Sequence, residues 1–224
     1  QVERLDDIGW VGVTNYNAYG ADNYNIETPT ALDSTSLNSA VTSFRVIASM
    51  DEGLWESNTA EGYSVDNINP VTPDNLFAST SEELLSLSWD YIPEFDFSYH
   101  QVTSVENVLY TTENEIEMTV SDYDEYYINS VDIHENLSDK SDYVSAHNLH
   151  YDSNLISFSV LPEDNSISNI IPCDDRFSGI IGEGQAAACI AGQWYGSLSH
   201  ISSSKGYWLL SQSDDILTVT GQKY

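Results

Sequence analysis

Leu85, Leu87 and Trp89 alternate with Ser86 and Ser88. In an extended chain a period of two sends the three large apolar groups to one face and the serines to the other. The pattern returns where Ile116, Met118 and Val120 alternate with Glu115, Glu117 and Thr119. Strands that are apolar on one face must bury it against a second layer. The rest of the chain has the same texture: short runs rich in Tyr, Thr, Val, Ile and Trp, separated by Asn, Asp, Gly, Ser and Pro. No long helical period appears, nor a run of the roughly 18 apolar residues that would read as a membrane span. The expected fold class is all-β.

At 224 residues the chain has room for two domains or slightly more. Segment 1–65 reads as strands over Gly9–Thr14, Asn23–Glu27, Thr42–Met50 and Leu54–Val65. That falls short of the seven strands over about 100 residues that close a sandwich. A partial Ig-like sandwich is therefore expected, its first strands lying outside this sequence or supplied by a neighbouring chain through β-strand addition. Asp66–Pro73 reads as a linker stiffened by Pro70 and Pro73. Segment 66–148 reads as a complete sandwich, with a turn at Glu135–Ser138. Segment 149–224 reads as a small β-rich module with one short helix within Pro162–Ile171, capped by Asp164 or Ser166, and a last strand at Ile216–Thr220. The sequence starts without Met or an apolar leader, so any signal peptide is expected to have been removed.

Residues 65–147 resemble a fibronectin type III domain. Trp89 stands where that family keeps a core tryptophan on its second strand. Val120, followed six residues later by Tyr126, is similar to the family's Leu-x-Pro-x-Thr-x-Tyr corner, where the tyrosine hydroxyl ties back to upstream backbone. Asp122 and Asp124 replace the family's Pro and Thr. Gly62–Pro70 resembles the junctions between domains of large secreted bacterial proteins. In the last segment, Asn154-Leu155-Ile156-Ser157, Gly182-Glu183-Gly184, Trp194-Tyr195-Gly196-Ser197-Leu198 and Gly206-Tyr207-Trp208 resemble a module of extracellular proteins from marine and gliding bacteria. The resemblance implies an array of Ig-like and fibronectin type III β-sandwiches ending in a small β-rich domain, with no chemistry assigned to it.

The net charge of −30, from 36 acidic and 6 basic residues, excludes nucleic acid as a direct partner. It also argues against docking on anionic lipid. The bland reading is a solvated surface that resists aggregation. The sharper reading is a divalent cation, calcium above all, held by oxygens from scattered loops, because no D-x-[DN]-x-[DN]-G loop is present. No other cofactor is expected. Cys173 and Cys189, the only cysteines, are expected to form one disulfide in an oxidising compartment.

Catalytic constellations weigh little. Gly179-x-x-Gly182-x-Gly184 lacks the Lys-Ser/Thr of a phosphate loop and reads as turns and bulges. His147 and His150, with Asp152 nearby, converge on a metal only if helical and otherwise read as solvated linker histidines. Gly196-Ser197 is not within a G-x-S-x-G elbow. The candidate binding residues are Trp194, Tyr195, Tyr207 and Trp208, whose rings suit stacking on sugar; adjacent pairs on a strand put one member inside and one outside. The leading expectation is a non-catalytic extracellular or cell-surface scaffold, structural or adhesive. Its partners would be copies of itself or other domains of a surface protein, with carbohydrate as a further ligand. The alternatives are an accessory, carbohydrate-binding region of a secreted hydrolase, and a fibre or filament subunit of a cell surface or virus. In the last, a strand such as Ile216–Gln222 would pass between chains.

Overall fold

The serine-spaced leucines do what their period requires: Leu85 and Leu87 are fully buried and Trp89 nearly so. The structure, a computed structural model, describes residues 1–35, 37–81, 84–120 and 123–224. These fall into two units, Gln1–Ile68 and Asn69–Tyr224, and are all-β apart from one turn of helix. Asp122 of the tyrosine-corner comparison lies outside the described residues. None of the described helical residues forms a segment long and apolar enough to cross a membrane.

The first unit holds β1 (Val2–Asp6), β2 (Gly9–Thr14), β3 (Asp33–Ser34), β4 (Thr42–Met50), β5 (Gly53–Glu56), β6 (Ala60–Gly62) and β7 (Ser64–Val65). Its main sheet runs β2-β1-β4-β5, with β6 also paired to β4. Val2 is the only buried hydrophobic residue among those described in this unit, while Leu5, Val46, Leu54 and Trp55 are exposed. A sheet buries both faces only when another layer covers each of them. Asn23–Glu27, expected as a strand, is a loop. The Tyr24 hydroxyl accepts the backbone N–H groups of Tyr19, Gly20 and Ala21 at 3.0–3.1 Å. Amides satisfied in this way need no ladder partner.

The second unit continues with β8 (Phe77–Ser81), β9 (Leu84–Ser88), β10 (Phe97–Thr103), β11 (Val108–Thr111), β12 (Glu115–Thr119), β13 (Tyr123–Asp132) and β14 (Tyr143–Leu149). Then come β15 (Asp152–Ser157), β16 (Val160–Leu161), the helix α1 (Ile167–Ile170), β17 (Phe177–Gly182), β18 (Gln185–Ile190), β19 (Gln193–Gly196), β20 (Gly206–Ser211) and β21 (Asp215–Lys223). They build sheets of order β12-β9-β8, β11-β10-β13-β14-β21-β16 and β15-β20-β17-β18-β19. The strands β8 to β14 form a two-sheet sandwich whose core includes Leu85, Leu87, Trp89, Val102, Tyr126, Ile128 and Val144. A second core, with Phe158, Phe177, Ile180, Tyr207 and Leu209, lies against the five-stranded sheet.

Both cores use the same six-stranded sheet. Along β21, Ile216 enters the sandwich core, whereas Leu217 and Val219 enter the second core. Along β14, Val144 and Ala146 face the sandwich and Leu149 faces the other side. A strand of period two that is covered on both sides serves two cores at once. This corrects the expected division into modules 66–148 and 149–224. Seven consecutive register pairs, Tyr143 with Gly221 through Leu149 with Asp215, join the last strand of one to the last strand of the other. It also corrects the idea that Ile216–Gln222 is a strand for donation, since β21 is already paired to β14 and β16 within its own chain. Gly221 permits the close approach of β16: a Cβ there would stand 2.2 Å from the Leu161 carbonyl oxygen.

The expected helix shrinks to one turn, with Ser166 at its N-cap and no side-chain capping bond. Gly179 adjoins a register shift in β17, and Gly184 holds φ +70 in the following turn, as bulge and turn glycines do. Cys173 and Cys189 are disulfide-bonded, tying the loop after α1 to β18. Closing a loop of this length stabilises by about 3 kcal/mol in the chain-entropy model. Replacing both cysteines with alanine is expected to lower the unfolding free energy of the second unit by that order, and its urea midpoint with it, as read by tryptophan fluorescence. An unchanged midpoint would mean the reduced chain already holds the loop in place.

Candidate functional site

The four aromatic candidates separate as strand alternation demands. Tyr207 is 1% exposed and belongs to the second core, its hydroxyl accepting the Ser202 N–H at 2.9 Å. This corrects its place among the surface candidates. Trp194 is half-buried against the same core, and its indole N–H donates to the Ile171 carbonyl at 2.9 Å. Tyr195 and Trp208 are exposed. Trp208 lies in register between Leu155 of β15 and Ile181 of β17, and all three are exposed on the outer face of the five-stranded sheet. Tyr195 stands opposite Ala188, which stands opposite Gly179 in turn, and its hydroxyl donates to Gln193 Oε1 at 2.8 Å. Gly196 is confined by the Ala186 carbonyl oxygen, 2.1 Å from where its Cβ would be. The neighbouring Ser197 hydroxyl accepts the Ala186 N–H, which gives it a structural use.

A group of buried polar side chains lies elsewhere, between the central sheet and the edge strand β15. It was not legible as a site in the sequence. Tyr123 and Glu125 on β13 face His147 and Ser145 on β14, in register. These positions alternate with Val144 and Ala146, so by period alone they belong to a polar, solvent-facing side. The second core covers that side. Glu125 is 7% exposed, Ser145 fully buried and His147 4% exposed. The hydroxyls of Tyr123 and Ser159 both donate to Glu125 Oε1 at 2.5 Å, and the Lys223 ammonium pairs with Oε2. Burial alone would raise the Glu125 pKa; the ammonium of Lys223 and the two hydroxyls outweigh it and hold the carboxyl below its ordinary value. The Tyr123 hydroxyl is pushed up, first by burial and then by the adjacent carboxylate. His147 is pushed down to about 4 by burial, so its ring is neutral at pH 7.

His147 is thus a buried core residue and not the solvated linker histidine its position suggested. Its ring packs between Tyr123 and Phe158, with centroids at 4.7 and 5.6 Å. Its Nε2, like the Ser145 hydroxyl, has no hydrogen-bond partner among the described residues. His150 does not converge with it; its Nδ1 is bonded to the Tyr151 carbonyl at 2.8 Å. A cavity of about 490 Å³ opens beside this group, lined by Tyr123, Glu125, His147, Asn148, Asn154 and Ser159, with apolar walls from Leu149 and Ile156.

A third cluster sits at one end of the sandwich, where ligand atoms of Asp96, Asp132 and His134 lie within 4.8 Å of one another. Asp132 already has a structural role there. Its Oδ1 accepts the N–H groups of His134 and Asn136, and its Oδ2 accepts the Asn136 side-chain amide, all at 2.8 Å. The side-chain amide of Asn136 is therefore part of the turn. Tyr126 lies in the sandwich core, and burial, with the Asp124 carboxylate beside it, raises its pKa. Trp89 packs edge-on against buried His100 at 5.0 Å.

No family model matches the chain, and no curated protein matches it. Among solved structures, the FN1–FN3 domains of chicken CNTN1 align over 82% of this chain and 75% of that chain, at 12% identity and a TM-score of 0.28. The sandwich is defined by the strand order of the chain itself.

Proposed function

We propose that the chain is a non-catalytic structural or adhesive scaffold that works outside the cell or on its surface. The observation that carries this reading is the six-stranded sheet with a core on each face, closed by a strand from the end of the chain. Such an arrangement resists local opening, because each core must be disrupted to free β21. The disulfide fits an oxidising compartment. The charge of −30 keeps the surface hydrated and copies apart unless a specific contact is made. Partners in this reading are further domains of a surface protein or copies of the chain. Antibody labelling of intact cells of the native source tests it. Labelling that is lost when the cells are shaved with protease is the expected result, and signal confined to permeabilised cells would overturn it.

The exposed Tyr195 and Trp208 favour a second reading, in which the second unit is the carbohydrate-binding accessory region of a secreted hydrolase. The coding sequence upstream of Gln1 separates the two: a catalytic domain there supports the accessory role.

A further inference from the structure

The cavity between β13, β14 and β15 has the attributes of a ligand site. At about 490 Å³ it falls in the size range of small-molecule pockets. It lies beyond β15, which is the edge of its sheet and pairs only with β20 among the described strands. A neutral histidine, nine-tenths buried and lacking a hydrogen-bond partner for Nε2 among the described residues, lines it. Leaving such a nitrogen unpaired costs free energy, which a ligand hydroxyl would recover.

The lining also selects the ligand's chemistry. Its one carboxylate, Glu125, is neutralised by Lys223, which pairs with it from outside the lining. A bound anion would meet the Glu125 carboxylate inside a chain of net charge −30, and a bound cation would compete with Lys223 for the same carboxylate. What remains is a mixed set of neutral donors and acceptors: the imidazole of His147, the side-chain amide of Asn148, and the free lone pairs of the Tyr123 and Ser159 hydroxyls, whose hydrogens go to Glu125. Hydroxyl groups both donate and accept, so a polyhydroxylated ligand satisfies a mixed set where a purely accepting or donating one does not. The apolar walls at Leu149 and Ile156, with the ring of Tyr123, suit the C–H faces of a sugar ring.

We propose that this cavity binds a neutral saccharide, one or two rings in size, with His147 as a direct hydrogen-bonding group. The site is separate from the exposed Tyr195–Trp208 face and does not depend on where the protein is located. Sugar binding and cell-surface labelling can therefore fail independently.

The test is isothermal titration of the whole chain with the methyl glycosides of glucose, galactose and mannose, with N-acetylglucosamine and with lactose. Sodium glucuronate and calcium chloride serve as charged controls. Imidazole nitrogen NMR of the same samples reports on His147. At least one neutral sugar is expected to bind saturably and to shift the His147 nitrogen signals. His147→Phe is expected to weaken that binding about tenfold, the order of one hydrogen bond. Ser157→Trp, an exposed position on β15 at the cavity lining, is expected to block the mouth and abolish binding while leaving the melting curve unchanged. If His147→Phe does not fold, Ser157→Trp alone decides. The proposal is overturned if no sugar moves the His147 signals, if binding survives Ser157→Trp, or if glucuronate or calcium binds in preference to every neutral sugar.

Discussion

A chain ended at Asp214 is expected to lose both cores of the second unit together. Removing β21 takes Ile216 from the sandwich core and Leu217 and Val219 from the second core, each at least 96% buried. At about 1.5–3 kcal/mol for each side chain, the loss is roughly 5–9 kcal/mol before any backbone pairing is counted. That is comparable with the whole stability of an ordinary domain, about 5–15 kcal/mol. It also uncovers the edge of β14 over its full length. The measurement is the near-ultraviolet circular dichroism and amide NMR dispersion of the truncated chain. A fragment spanning 66–148 alone is expected to lack a cooperative melt, for the same reason. If that fragment melts cooperatively near the temperature of the full chain, the sandwich is self-sufficient and the shared strand is only an attachment.

The second large effect is expected with acid. His147 and His100 are both held near pKa 4 by burial, against about 6.5 in an unfolded chain. Between those values the unfolded chain binds protons that the folded chain does not. Stability from this source is therefore fully present above about pH 6.5 and is lost as the pH falls toward 4, at about 1.4 kcal/mol per unit for each histidine. For His147 the total is about 3 kcal/mol. Glu125 adds to it with the same sign, since its pKa is depressed in the fold and its contribution disappears as the pH falls through that value. Neutralising surface carboxylates works in the opposite direction, by relieving repulsion in an acidic chain. Comparing the protein with His147→Phe isolates the buried term. The urea midpoint of the native chain should fall more steeply between pH 7 and 4.5 than that of the variant. Parallel curves would show that His147 is not held neutral in the fold.

Much of the sandwich was legible in the sequence because period-two alternation is a local property. Leu85, Leu87, Ile116 and Met118 declared their faces without reference to the rest of the chain, and Trp89 and Tyr126 lie in one core with them. Cys173 and Cys189, an isolated pair, indicated their disulfide. The loop at Asn23–Glu27 misled because its strand-like composition carries no sign that the Tyr24 hydroxyl satisfies nearby amides. The polar cluster at Glu125, Ser145 and His147 was invisible for a different reason. A serine and a histidine alternating with Val144 and Ala146 describe an exposed face, and only a layer from elsewhere in the chain reverses that.

The sequence by itself determined that the protein is all-β, where its strands turn apolar faces inward, that its surface is strongly acidic, and that one member of each aromatic pair would be outside. Those properties follow from alternation, composition and spacing within a few residues. The tertiary structure alone decided that the last strand joins two cores, that polar side chains of β13 and β14 become interior, and that a cavity forms beside His147. Each depends on pairing between β14 and β21, more than sixty residues apart. No local pattern encodes it, because the same alternating strand is compatible with water, with a neighbouring chain or with a second core on its other face.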